Sequence, residues 1–192
     1  MNRISIIQSL IDKNNYKNYL EVGVQAGHCF QTIQCENKTG VDPDLESAAT
    51  HKITSDQFFK ENELSFDIIF LDGLHHADQL EKDILNALKA LKEGGTIVCH
   101  DMLPTSKRMQ EIPLQEQNEW TGNVWETWVK LRITRSDLQM HCINTDWATS
   151  IIKKGKQELL VNNLPINYEN FIANKNEWMN IITIEQFKNI YL

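Results

Sequence analysis

No apolar run in this chain approaches the roughly 20 residues that a membrane span needs. Its start, MNRISIIQSLIDKNN, holds neither the apolar stretch nor the small-residue cleavage site of a secretory leader. Cysteine is sparse: Cys29, Cys35, Cys99 and Cys142 contain no CxxC pair, so no zinc ribbon or thioredoxin motif is present. They read as reduced thiols of a cytoplasmic protein, with Cys99, inside an apolar run, a core residue. A basic excess is also missing. With 19 Lys and Arg against 26 Asp and Glu, the net charge is −7. That balance argues against a nonspecific nucleic-acid partner, which needs a basic surface. Internal repeats and low-complexity tracts are absent too. What remains, 192 residues with 41% hydrophobic and 23% charged, is an ordinary globular composition. The length predicts one domain, residues 1–155, and a C-terminal extension, 156–192, packed on it.

Hydrophobic spacing outlines the elements. Ile4, Ile7, Leu10 and Ile11 predict an amphipathic helix over 3–13. Tyr19–Gly23 reads as a buried strand entering a turn, with a helix over 25–34. Lys38–Asp42 is a second short strand, His51–Ser55 a third, and Phe66–Asp72 the clearest strand of all. The near-continuous apolar character of that last segment predicts a parallel strand covered on both faces. Leu80, Ile84, Leu88 and Leu91 share one face of a helix over 77–92, with Gly94-Gly95 as its stop signal. Thr96–His100 is the next strand, and 102–121 a long loop of the kind that covers a substrate. A helix over 122–133 and strands over 140–145 and 149–154 follow, and 157–192 ends in a weakly helical segment. Alternating strand and helix predict an α/β fold: a Rossmann-like three-layer αβα sandwich on a mostly parallel seven-stranded sheet with an antiparallel C-terminal edge strand. Ligands in such folds bind beyond the carboxyl ends of the strands. Glu21, Asp42, Asp72 and Asp101 stand there.

The first turn, Glu21-Val22-Gly23-Val24-Gln25-Ala26-Gly27, reads E-x-G-x-x-x-G and not the dinucleotide spacing G-x-G-x-x-G. Gly23 permits a tight turn beside a ligand and Gly27 close helix–strand packing. A plain glycine turn in an α/β protein has the same spacing. S-adenosylmethionine (SAM) carries no phosphate but has a cationic amino group, which Glu21 can hold directly or through water. It also has a ribose diol, which Asp42 can accept. Asp56 is a candidate for the adenine amino group or, alternatively, the cap of a helix over 57–62.

The segments YLEVGVQAG, GVDPD, FDIIFLDGLHHADQLEKDILNALKALKEGGTIVCHDM, GNVWETW and TDWATSIIKKG occur in this order. Over residues 17–155 they resemble the class I SAM-dependent methyltransferases, and within them the bacterial small-molecule O-methyltransferases that include macrocin O-methyltransferase. The resemblance implies methyl transfer from SAM to a hydroxyl of a small molecule, such as a sugar or a glycosylated metabolite. It also implies a carboxylate at Asp72, a general base at His75, and a carboxylate pair that shares magnesium with Asp72. That pair reads His100-Asp101 here. Magnesium prefers oxygen ligands, so Asp72, Asp101 and an imidazole would suit manganese better, or would bind no metal.

These residues suit the chemistry. An alcohol becomes a good nucleophile only on losing its proton: a divalent cation can lower the hydroxyl pKa as a Lewis acid, and a histidine can take the proton as the bond forms. His75 and His76 can instead cap the following helix or face water, and His100 can be a partner of Asp101. Trp125 and Trp128, three apart on a helix, read as core. Trp120, in the loop, is the better stacking residue for a substrate. Lys107 and Arg108 read as solvated loop charges or as contacts for an acidic substrate. An NAD-dependent oxidoreductase needs a third glycine in the first turn. A non-catalytic SAM-fold binding protein would keep the cofactor turn without the acids and histidines, and a metal-dependent hydrolase would not need Glu21 and Asp42. A homodimer would use the N-terminal helix and the C-terminal tail.

Overall fold

The structure, a computed structural model, describes residues 1–114 and 119–192. The predicted substrate loop runs through 115–118, so that part of it lies outside the described residues. The described chain runs α1 (Arg3–Asn14), β1 (Asn18–Val22), α2 (His28–Thr32), β2 (Asn37–Val41), α3 (Ser55–Glu61), β3 (Phe66–Leu71), α4 (Ala77–Ala90) and β4 (Leu91–Cys99). A 3-10 turn (Lys107–Gln110), α5 (Val124–Thr134), β5 (Leu138–Ile143), β6 (Thr149–Lys154), α6 (Tyr168–Trp178), β7 (Ile181–Ile182) and α7 (Ile184–Tyr191) follow.

The seven strands form one sheet in the order β2-β1-β3-β4-β6-β5-β7. β1 pairs in parallel with β2 and β3, and β3 with β4. The antiparallel strand is β6, which lies between β4 and β5 and opposes both. The edge beyond them falls to the two-residue β7, parallel to β5. The predicted third strand at His51–Ser55 is reduced to a single bridge, Val41 to His51. Ser55 instead starts α3, because Thr54 caps it by accepting from Gln57 N at 3.2 Å. The seventh strand comes from the tail, where two residues are too few to show a pattern.

Alternate residues of the central strands face opposite layers. Leu20, Val22, Ile69, Leu71, Ile97 and Cys99 pack with Leu80 and Ile84 of α4, Trp125 and Trp128 of α5, and Phe171 and Trp178 of α6. Tyr19, Ile68, Phe70, Val98 and Ile151 pack with Ile6, Ile7 and Leu10 of α1, Phe30 of α2, and Phe187 and Tyr191 of α7. The tail thus contributes a helix to each face. Trp125 and Trp128 are fully buried, as their spacing predicts, and Cys99 is too. The four cysteines are free thiols. Gly94 and Gly95 do not stop α4, which ends at Ala90. They lie inside β4, where the register to β3 shifts between Phe66 and Ile68. Among the described residues no helix is long and apolar enough to cross a membrane.

Candidate functional site

The parallel register sets the site. Val41, Val22, Leu71 and Cys99 lie side by side at the ends of β2, β1, β3 and β4. The next residues, Asp42, Gly23, Asp72 and His100, therefore leave the sheet at one level. Gly23 has φ +89, and a Cβ there would lie 2.0 Å from the carbonyl oxygen of Asp72. The turns after β1 and β3 meet only because this residue lacks a side chain.

Two cavities open above this row. The larger, about 440 Å³, lies over β1, β2 and β3 and is lined by Gly23, Gln25, Asp42, Ser55, Asp56 and Asp72, among others. Asp42 is buried in its wall. Its Oδ2 accepts from Gln25 N at 2.8 Å and its Oδ1 from Asp44 N at 2.9 Å. A carboxylate offers about four lone-pair sites, so two backbone donors leave each oxygen able to accept once more. Asp56, exposed in the first turn of α3, accepts from Gln79 Nε2 at 3.1 Å. Glu21 and Gly27 do not line this cavity. Glu21 is buried beneath the turn, where Tyr19 Oη donates to its carboxyl, and burial pushes its pKa up to about 7.

The smaller cavity, about 180 Å³, is lined by Arg3, His75, His100, Asp101, Trp120 and Trp147, and shares Gln25 and Asp72 with the larger. Here the predicted acids and histidines converge. His75 Nε2 lies 3.5 Å from Asp72 Oδ1 and 3.2 Å from Asp101 Oδ2. His100 Nδ1 lies 3.4 Å from Asp72 Oδ1 and 3.2 Å from Asp101 Oδ1. Asp101 has φ +62, a left-handed turn that is unusual for a residue with a side chain. Burial would raise the pKa of Asp72, but the imidazoles of His100 and His75 outweigh it and hold the carboxyl well below the usual range. Burial likewise opposes charge on His75, and Asp72 and Asp101 reverse that, raising its pKa.

His75 is oriented from behind. Its Nδ1 is 3.0 Å from the carbonyl oxygen of Trp120, and the two rings stack with centroids 5.2 Å apart. Gly122, φ +61, makes this approach possible, since a Cβ there would lie 1.7 Å from the His75 carbonyl oxygen. His76 is the N-cap residue of α4, with no side-chain cap bond. Trp120 thus contacts His75 and donates through Nε1 to Glu111 O at 2.9 Å. Lys107 is exposed and paired with Glu169 at 2.7 Å, the solvated reading of that loop charge.

Sequence reasoning gave three residues of the site no role there. Arg3, on α1, reaches the site from the far end of the chain. Its Nη1 lies 3.0 Å from His100 Nε2 and 3.2 Å from Asp146, and its backbone N–H donates to Asp146 Oδ2 at 2.8 Å. Asp146, Trp147 and Ala148 have φ of 54, 50 and 71, three left-handed residues in succession. Their turn aims Asp146 at His100, with Oδ2 3.5 Å from Nε2, and leaves Trp147 39% exposed on the cavity rim. Burial lowers the pKa of His100, but Asp101, Asp146 and Asp72 more than offset it and bring it up to about 11. Arg3 works the other way. A guanidinium nitrogen can only donate, so its contact asks for a lone pair on Nε2. Which ring nitrogen carries a proton depends on whether Arg3 or Asp146 faces Nε2. Signals existed only for Asp146-Trp147, visible as the turn between the last two long strands.

Residues 20–102 match the family model described as a methyltransferase domain. No curated protein sequence matches the chain. Among solved structures the fold is similar to the TomG O-methyltransferase of Streptomyces achromogenes in complex with SAM. There the TM-score is 0.59 at 12% identity, over 78% of this chain and 77% of that one. It is also similar to an O-methyltransferase from Bacillus cereus in complex with S-adenosylhomocysteine (SAH), with TM-score 0.55, 14% identity and 78% of each chain covered. A third is an SAH-bound methyltransferase from Podospora anserina, with TM-score 0.60, 12% identity, and 81% and 78% covered. At these identities the likeness is one of fold.

Proposed function

We propose that this chain, whose residues 20–102 match a methyltransferase-domain model and whose fold is similar to that of SAM- and SAH-bound O-methyltransferases, binds SAM and methylates a hydroxyl of a small molecule. The observation that carries this is a pair of adjoining cavities with Asp72 and Gln25 in their common wall. SAM occupies the larger. Asp42, with lone pairs left free, would accept from its ribose diol, Asp56 and Gln79 would meet its adenine, and Asp72, in the wall shared with the second cavity, would lie between cofactor and acceptor. Gly23 lets the turn come close to the cofactor, and Gly27 packs behind it. Glu21 supports the turn from below and meets the amino group only through the backbone or water.

The acceptor occupies the smaller cavity, between Trp147 and the Trp120–His75 stack. A sugar ring, alone or on a glycosylated metabolite, presents the flat C–H face that such indoles cover. Methyl transfer is an in-line displacement with a neutral thioether leaving, so the sulfonium needs no activation and the protein supplies positioning and a deprotonated oxygen. Asp72 and His75 are the groups placed to act on that hydroxyl, with Asp101 and His100 holding them. Asp72, Asp101 and a histidine would hold a divalent cation, which when bound lowers the hydroxyl pKa. An NAD-dependent oxidoreductase is disfavoured because the first turn lacks the third glycine and α2 is only five residues long, a poor anchor for a pyrophosphate.

The test is calorimetric titration of the purified chain with SAH and, separately, with NADH. Transfer of labelled methyl from SAM to a panel of sugars and phenols follows. Saturable SAH binding with no NADH binding is expected. Absence of SAH binding up to millimolar levels refutes the reading.

A further inference from the structure

We propose that Asp83 is a positioning residue for cofactor recognition: from behind the larger cavity it holds the side-chain amide of Gln79, so that the amide oxygen reads the amino group of adenine. The inference rests on SAM occupying that cavity, as proposed above, and names what selects its base. Gln79 lines the cavity and Asp83 does not. Both stand on α4 one turn apart, so their side chains are neighbours on one face of the helix. Gln79 Nε2 lies 3.2 Å from Asp83 Oδ1, 3.1 Å from Asp56 Oδ1 and 3.2 Å from Ser55 Oγ. A carboxylate only accepts, so the nitrogen end of the amide faces the two acids. Its oxygen accepts from none of the described residues and is not sealed off in the interior, which leaves it open to the cavity.

The anchor decides what Gln79 can recognise. An unheld glutamine amide turns about its last torsion with little preference and presents oxygen or nitrogen alike. Pinned by its nitrogen, it presents an acceptor. Adenine offers a donor, its exocyclic amino group. Hypoxanthine offers a carbonyl oxygen instead, which would meet the amide oxygen lone pair to lone pair. A site built to hydrogen-bond a ligand rejects the analogue that leaves its polar groups unpaired. Of the two acids, Asp56 is exposed in the first turn of α3, so its own side chain is free to move. Asp83 is buried, with Asp56 repelling its charge and Lys82 attracting it, and burial raises its pKa to about 6. A buried carboxyl is costly, and such groups gather where function needs them. Asp83 is therefore the fixed point of the contact, and Gln79 the part that meets the base.

The full chain is titrated calorimetrically at pH 8 with SAH and with S-inosylhomocysteine, in which a carbonyl replaces the adenine amino group. The readout is the ratio of the two affinities, which a merely structural role would not move. SAH should bind at least about 10-fold more tightly. Gln79→Leu should bring the two ligands to within about 3-fold of each other, chiefly by weakening SAH. Asp83→Leu, which lets the amide turn, should lower the ratio by about 3-fold or more, and Asp83→Asn, whose amide oxygen still accepts from Gln79, should restore it to within about 2-fold. Equal affinity of the unaltered chain for both ligands overturns the proposal. So does an unchanged ratio in Gln79→Leu, which would assign the base to Asp56, or an unchanged ratio in Asp83→Leu. Absence of SAH binding by the unaltered chain refutes the cofactor reading instead.

Discussion

Asp83 sits on the sheet-facing side of α4 and is 3% exposed, yet among the described residues no cation forms a salt bridge with it. Its Oδ1 accepts from Gln79 Nε2 at 3.2 Å. Burial raises its pKa from the ordinary 3.8 to about 6, against the hydrogen bonds from Ser55 and Gln79. A carboxyl whose folded pKa is raised keeps its proton longer in the native state, so between pH 3.8 and about 6 the folded chain binds more protons than the unfolded one. Stability attributable to this group therefore falls as pH rises through that window and stays low above it. At about 1.4 kcal/mol per tenfold change in proton affinity, the charge costs about 3 kcal/mol at pH 7. Asp83→Asn keeps the shape and the acceptor for Gln79 but has no proton to lose. The variant should gain about 3 kcal/mol at pH 7, a rise in Tm of about 6–12 °C for a chain of this size, and close to nothing at pH 4. Thermal unfolding followed by circular dichroism at half-unit pH steps measures both. An equal gain at pH 4 and pH 7 would refute the linkage, and a loss at pH 7 would show that the carboxylate holds Gln79 and Ser55 in a way an amide cannot.

Asp42→Asn should weaken SAH binding by about 10-fold or more, the loss expected for charge-assisted hydrogen bonds, while Glu21→Gln, off the cavity wall, changes it by less than about 3-fold in the same titration. Gly122→Ala places a methyl on the His75 carbonyl and adds a left-handed cost of about 1–2 kcal/mol; turnover should fall more than SAH affinity, and equal losses in both would count against a local effect at His75. Trp125 is fully buried and packs on Phe171 of α6 with ring centroids 4.4 Å apart; Trp125→Ala should cost about 3–5 kcal/mol in urea unfolding, and a cost below about 1 kcal/mol would mean that α6 is not part of the cooperative unit.

The periodic segments were readable because their patterns are local. Phe66–Leu71 and Thr149–Lys154 are strands that the apolar run and the bounding polar residues identify, and α4 follows from Leu80, Ile84 and Leu88 on one face. Errors fell where a pattern was short or polar. Gly94-Gly95 looked like a helix stop, but the sheet absorbed both residues, since pairing with β3 continues from Thr96 after a register shift. Ile181–Ile182 is too short to show alternation and becomes a strand only because β5 offers an open edge.

The sequence by itself determined that acids and histidines stand at the ends of the parallel strands, because strand ends and turns are written in neighbouring residues. Glu21, Asp42, Asp72 and Asp101 were named on that basis, and His75 and His100 through the family resemblance. Only the tertiary structure decided which of them touch. The register of β1, β3 and β4 brings Asp72, His75 and Asp101 into one cluster and turns Glu21 away from the cavity. It also delivers Arg3 to His100 across 97 residues of chain and sets Asp146 on a left-handed turn beside them. Contacts between segments so far apart depend on how α1 and β6 pack on the sheet, and no short stretch of sequence records that.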